Sequence, residues 1–95
     1  MKIEANYDIL KVDTNPISVR VVSDIYITFF RGKYIPTIDL MELKSKRLFS
    51  MFVGASSVAK NLEDFRLESN SIIDYEMWIQ KDGNDKFSKY IITRK

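Results

Sequence analysis

The chain has 95 residues, 45% apolar and 29% charged, and a formal charge of only +2. That is the composition of one soluble globular domain spanning residues 1–95. No apolar run nears the roughly 20 residues of a membrane helix, and no signal-peptide pattern opens the chain. Cysteine and histidine are both absent, which excludes disulfides, thiolate nucleophiles, the commonest general base and the commonest metal ligand. A cytoplasmic, intracellular location is expected of a cysteine-free chain.

Residues 1–16 read as an N-terminal extension. Residues 6–12 carry a poor strand signal, and Asp13, Thr14, Asn15 and Pro16 form a turn. Residues 17–30 organise the rest of the chain. Ile17, Val19, Val21, Ile25, Ile27 and Phe29 recur at every second position, the strand period, so all six share one face. The run is long for one strand and is interrupted at Ser23 and Asp24. It is therefore expected to bend, its two halves pairing with different neighbours.

Arg31, Gly32 and Lys33 form a tight turn into a second strand over residues 34–43, where Pro36 argues for an edge or a bulge. Lys44, Ser45 and Lys46 turn into a third strand over 47–53, apolar on both faces. The links are short, so these strands form an antiparallel meander. From Val58 the period becomes helical: Val58, Ala59, Leu62 and Phe65 make an apolar stripe, and Ser56 or Ser57 is placed to cap it. The helix is expected to stop near Asn70, a residue that tolerates the left-handed conformation. A fourth strand covers 72–81, a hairpin turn 82–85, and a fifth strand 86–93. The expected core is Val19, Val21, Ile25, Ile27, Leu62, Phe65, Ile73, Met77 and Ile79.

The fold class is thus mostly β with one helix, in the order β-β-β-α-β-β. That is the chain order of the OB-fold, a five-stranded, partly open Greek-key barrel, here over residues 17–93. The chain also resembles the small single-stranded-DNA-binding OB proteins of phages, plasmids and archaeal viruses. The resemblance rests on YIPTIDL leading into the meander, GASSVAKNLEDF opening the helix, and the closing hairpin WIQKDGNDKFSKYIIT. It implies non-catalytic binding of single-stranded nucleic acid, most naturally DNA.

Charge is segregated along the chain. Residues 31–47 hold five basic residues (Arg31, Lys33, Lys44, Lys46, Arg47) against two acids, and residues 78–95 hold five against two. Residues 55–77 reverse the balance. In an OB barrel the loops after the first and fourth strands flank the binding face, and both are basic here. Phosphates would meet Arg31, Lys33, Lys44, Lys46, Arg47, Lys81, Lys86 and Lys89. Bases would stack on Trp78, Tyr34 and either Phe49 or Phe52. Lysines also decorate ordinary solvated loops, and exposed rings also serve protein interfaces. The competing reading is therefore a viral or phage accessory module that docks a replication or host protein through the same aromatics. A homodimer is a third use of those rings. No catalytic residue, metal or cofactor is expected: Asp74 and Glu76 share a strand face but lack a third acid or a histidine, and Ser56 and Ser57 lack a base.

Overall fold

The computed structural model describes residues 4–54, 56–84 and 89–95. Strands β1 (Ile17–Val21), β2 (Tyr26–Phe30), β3 (Lys33–Glu42) and β4 (Leu48–Phe52) are followed by helix α1 (Ser56–Ser69), then β5 (Glu76–Lys81) and β6 (Tyr90–Arg94). The expected long first strand breaks at residues 22–25, so the sheet has six strands where five were expected. All named pairings are antiparallel, in the order β2-β3-β1-β5-β6, with β4 on the far side of β3. The sheet does not close on itself: among the described residues β4 and β6 share no pairing.

The break does what a polar interruption in a strand should do. β1 pairs β5 on one side and β3 on the other, whereas β2 pairs β3 alone. Val21 lies opposite Leu40, and Ile27 lies opposite Pro36. Two extra residues on the β1–β2 side leave the parity unchanged, so Ile17 through Phe29 do share one face of the sheet. The turns are equally local. Arg31 and Gly32 both have positive φ (50° and 77°), the two-residue hairpin whose twist suits the strands it joins. Asn70, at φ 63°, ends the helix and donates its N–H to the Arg66 carbonyl at 2.7 Å.

Two layers cover this sheet, and they cover opposite faces. On one face, Val19, Val21, Ile38, Leu40, Met51, Met77 and Ile79 pack with Val58 and Leu62 of α1 into an apolar core. That face carries the expected Val19, Val21, Leu62, Met77 and Ile79. Phe65 is only half-buried, its ring 4.7 Å from Tyr75, and Ala59 of the expected stripe is exposed. Ile25 and Ile27 are exposed (47% and 44%): Ile25 borders an open cleft against Ala59, Leu62, Glu63 and Arg66 of α1, and Ile27 lies farther along β2. Ile73 is exposed too: the chain turns at Ile73 and Asp74, where Asp74 has φ 75°, so the strand expected from residue 72 begins at Glu76.

The N-terminal segment pairs along the free edge of β4 at residues 8–10 and crosses onto the other face of the sheet at Asn6 and Tyr7. Ile9 bridges Ser50 in parallel, with Leu10 N donating to the Ser50 carbonyl and Ser50 N to that of Asp8, each at 2.9 Å. Beneath it sits a buried polar knot. The Asp39 carboxylate accepts from Tyr26 Oη (2.5 Å), Ser50 Oγ (2.7 Å) and Asn6 Nδ2 (2.9 Å). Tyr7 N donates to Ser50 Oγ and Asn6 N to Tyr26 Oη. Beside it, the hydroxyls of Thr28 and Thr37 bond each other at 2.9 Å. The extension is therefore part of the fold.

Candidate nucleic-acid interface

β3 is ten residues long. At about 3.3 Å per residue its ends lie roughly 30 Å apart. The expected basic residues of the meander divide between those two ends.

The β2–β3 hairpin holds one group. Its two-residue turn pins Phe29 opposite Tyr34, their ring centroids 5.0 Å apart. Tyr34 is 72% exposed; Arg31 lies in the turn before it and Lys33 opens β3. On the reverse face Phe30 stacks with Phe52 at 5.4 Å, and the Arg31 guanidinium lies over the Phe30 ring at 5.1 Å. Next to that stack is an apolar cavity of about 280 Å³, lined by Ala5, Ile9, Phe30 and Phe52 among others.

The far end of β3 holds the second group. Lys44 and Lys46 sit in the β3–β4 turn, with Lys46 at φ 61°. Arg47 leads into β4, lies 5.1 Å over the Phe49 ring and reaches Asp8 at 4.0 Å. Phe49 is half-buried against the core, so one face of its ring is spent on packing.

A third group forms on β1, β5 and β6. Trp78 faces outward (42% exposed) between Ser18 of β1 and Thr93 of β6. The cation over its ring is Lys95, 4.6 Å from the centroid, with Nζ donating to Ser18 Oγ. Beside it Arg20 pairs with Glu76 at 2.7 Å. The hydrogen bond from Arg20 holds the Glu76 carboxyl below the ordinary carboxylate range and raises Arg20 in turn, so that arginine is already neutralised. Lys81 lies 5.7 Å from the Tyr90 ring. Lys89 is exposed, and its backbone N–H is held by Asp82 Oδ1 at 2.9 Å. Lys86, with the rest of residues 85–88 and the side chains of Ser56 and Ser57, lies outside the described residues.

The structure thus sets Arg31, Lys33 and Tyr34 at one hairpin end, with the Arg31 guanidinium drawn to the face opposite the Tyr34 ring. It separates them from Lys44, Lys46, Arg47 and Phe49, and the register sets Trp78 on the opposite sheet face from Tyr34. Three participants escape a reading of the sequence by strand faces. Phe29 reads there as a core-face residue and Phe30 as part of no site, although a two-residue Arg-Gly turn places Phe29 across from Tyr34 on sequence alone. Lys95 reads only as charge, with nothing to match it to Trp78. Asp74 and Glu76 do not act as a pair: Asp74 sits in a turn, and Glu76 is taken by Arg20.

No family model, curated protein or solved structure matches this chain. No helix among the described residues is long and apolar enough to cross a membrane.

Proposed function

We propose that this chain binds single-stranded nucleic acid, with the end of the β2–β3 hairpin as its stacking surface. The observation that carries the reading is Tyr34: a ring 72% exposed and braced by Phe29, at the tip of a hairpin that also carries Arg31 and Lys33. Exposing a braced aromatic costs solvation unless a planar ligand covers it, and bases stack on such rings at about 1–3 kcal/mol each. Arg31 and Lys33 supply the phosphate contacts that make such binding salt-dependent.

The strand pairing supports an OB-like reading. With β1 and β2 taken as two halves of one bent strand, the first half pairs the second and fourth of five strands, the other half pairs the second alone, and the helix falls between the third and fourth. The fold departs from that pattern in a way that bears on the site. The outer face of the second and third strands, where an OB barrel takes its ligand, here has Asn6 and Tyr7 over Asp39 and Ser50. Tyr34 and Phe29 lie on the other face of the sheet, beyond the part that α1 covers, so the proposed stacking surface is displaced from the usual OB face; the role is binding rather than catalysis.

The test is a titration of a labelled oligothymidylate at about 50 and 200 mM salt, where affinity should fall steeply. Tyr34→Ala should weaken binding by about 1–3 kcal/mol with the fold intact. Arg31→Ala should lower the salt slope by about one. Trp78→Ala should do less than Tyr34→Ala. Absence of binding at low salt, or a Tyr34→Ala variant that binds like the wild type, overturns the proposal.

A further inference from the structure

Among the described residues β2 and β6 are the strands that pair on one side only, and the β2 edge is the more apolar of the two. β2 pairs only with β3 among the described residues, so one row of its N–H and C=O groups has no strand beside it. The register identifies them. In a two-residue hairpin the closing pair, Phe30 and Lys33, is hydrogen-bonded, and bonding alternates from there. Phe30, Thr28 and Tyr26 therefore bond inward to β3, whereas Phe29 and Ile27 point their N–H and C=O outward. Pro36 agrees: it lies opposite Ile27, has no N–H, and its carbonyl is taken on the β4 side by Val53 N at 2.8 Å.

Edge strands are ordinarily blunted by lysine, proline, a bulge or an inward charge. YITFF has none of these. The side chains that accompany the free backbone are apolar and exposed: Ile25, Ile27 and Phe29. The strand is also bounded by opposite charges, Asp24 just before it and Arg31 and Lys33 just after it.

We infer that the β2 edge pairs with the β2 edge of a second copy of this chain, antiparallel about Thr28. That register lets Ile27 of each copy exchange backbone bonds with Phe29 of the other, which are the groups the hairpin leaves free. It stacks isoleucine on phenylalanine across the two-fold, an aromatic–β-branched pair of the kind that stabilises sheets. It also brings Asp24 of each copy beside the other's Arg31. The same strand in a parallel arrangement would set like charges together. Head-to-tail charge and an apolar, uncharged middle make this edge complementary to itself, the requirement of an isologous contact. The association needs no nucleic acid, so it stands or falls separately from the hairpin's role.

Sedimentation of the full chain without nucleic acid tests the inference. The mass should rise from 11.2 kDa toward twice that as the concentration increases from about 5 to about 500 µM, the range of a small, transient interface. Over the same range amide exchange at Ile27 and Phe29 should slow in the wild-type protein, while Thr28, already bonded to β3, should not change. Ile27→Lys, which sets like charges on both copies at the contact, should weaken association at least tenfold. Ile73→Lys, at another exposed isoleucine, should leave it unchanged. A chain that stays monomeric at the top of the range overturns the inference. So does exchange at Ile27 and Phe29 that is independent of concentration, or a folded Ile27→Lys variant that associates like the wild type.

Discussion

β1 and β2 are two halves of one alternating run, yet they bury opposite faces. In β1 the odd-numbered side chains Val19 and Val21 are fully enclosed beneath α1 and the β5–β6 hairpin. In β2 the odd-numbered side chains face solvent, and the even ones, Tyr26 and Thr28, turn toward the N-terminal segment. Parity is conserved through the break; what lies over each face is not. Alternation decides which side chains travel together, but only tertiary structure decides whether that company is buried. The two covers also differ in kind. The layer under α1 is apolar, while the layer under the N-terminal segment is a hydrogen-bonded knot around one carboxylate.

The same charge placed on each half should have very different costs. Val21→Asp buries an unpaired carboxylate in the apolar core. It is expected to cost several kcal/mol, enough to unfold a domain of this size. Ile27→Asp on the same sheet face should cost no more than about 1 kcal/mol, the span of strand propensity. Circular dichroism and urea denaturation of the two variants check this directly. Equal destabilisation would show that the β2 end of the face is covered.

The next effect belongs to the knot. Asp39→Ala strips the acceptor from Tyr26, Ser50 and Asn6 together and leaves the buried Ser50 hydroxyl and the half-buried Tyr26 hydroxyl with only each other across 3.2 Å. It should cost about 3 kcal/mol or more, read as a shift in urea midpoint. Asn6→Ala removes one donor at the margin and should cost about 1 kcal/mol. Cleavage by a protease between residues 4 and 13 should accelerate in both variants if the knot is what holds the segment down.

Much of this was legible in the sequence, and the residues show where legibility ends. Ser23 and Asp24 announced the break, the switch of period announced α1, and Asn70 announced its end, because each is a local property of backbone and spacing. Arg31, Lys33 and Tyr34 were legible as a group for the same reason. Asp39 was not. It stands between Ile38 and Leu40 and reads as a solvated position, yet it is 4% exposed. Its partners come from 33 residues upstream, 13 upstream and 11 downstream, and hydrogen bonds at such separations leave no period behind. The division of the basic groups between the two ends of β3 was hidden similarly: charge counted by segment carries no information about distance.

The pH dependence ranks below the mutations. Burial raises the Tyr26 hydroxyl above its ordinary value near 10, with its bond to Asp39 acting in the same direction against the opposing contact from Asn6 N. Burial raises Tyr75 likewise. A group whose folded pKa is raised contributes stability that is intact below the unfolded pKa and lost as pH climbs through the folded one. Stability should therefore be insensitive to these tyrosines up to about pH 10 and decline above it. Tyr26→Phe should shallow that decline while costing stability at neutral pH, because it removes the shortest bond of the knot.

Tyr75 gives the smallest effect and the opposite sign. Its ring is buried in the α1 layer against Phe65, with the Arg94 guanidinium 6.0 Å from its centroid. Its hydroxyl is buried with no hydrogen-bond partner among the described residues. In the knot every hydroxyl is paired; here one is buried without a partner. An unsatisfied buried hydroxyl costs about 1–3 kcal/mol, and part of that returns when the oxygen is removed and the ring kept. Tyr75→Phe should therefore stabilise the protein by about 1 kcal/mol at neutral pH, and it should also shallow the decline above pH 10. Tyr26→Phe, the same change of atoms, should destabilise at neutral pH. Thermal melts of the two variants side by side check this. Destabilisation by both would mean that the Tyr75 hydroxyl has a partner in solution and that the two layers differ less in polarity than their side chains indicate.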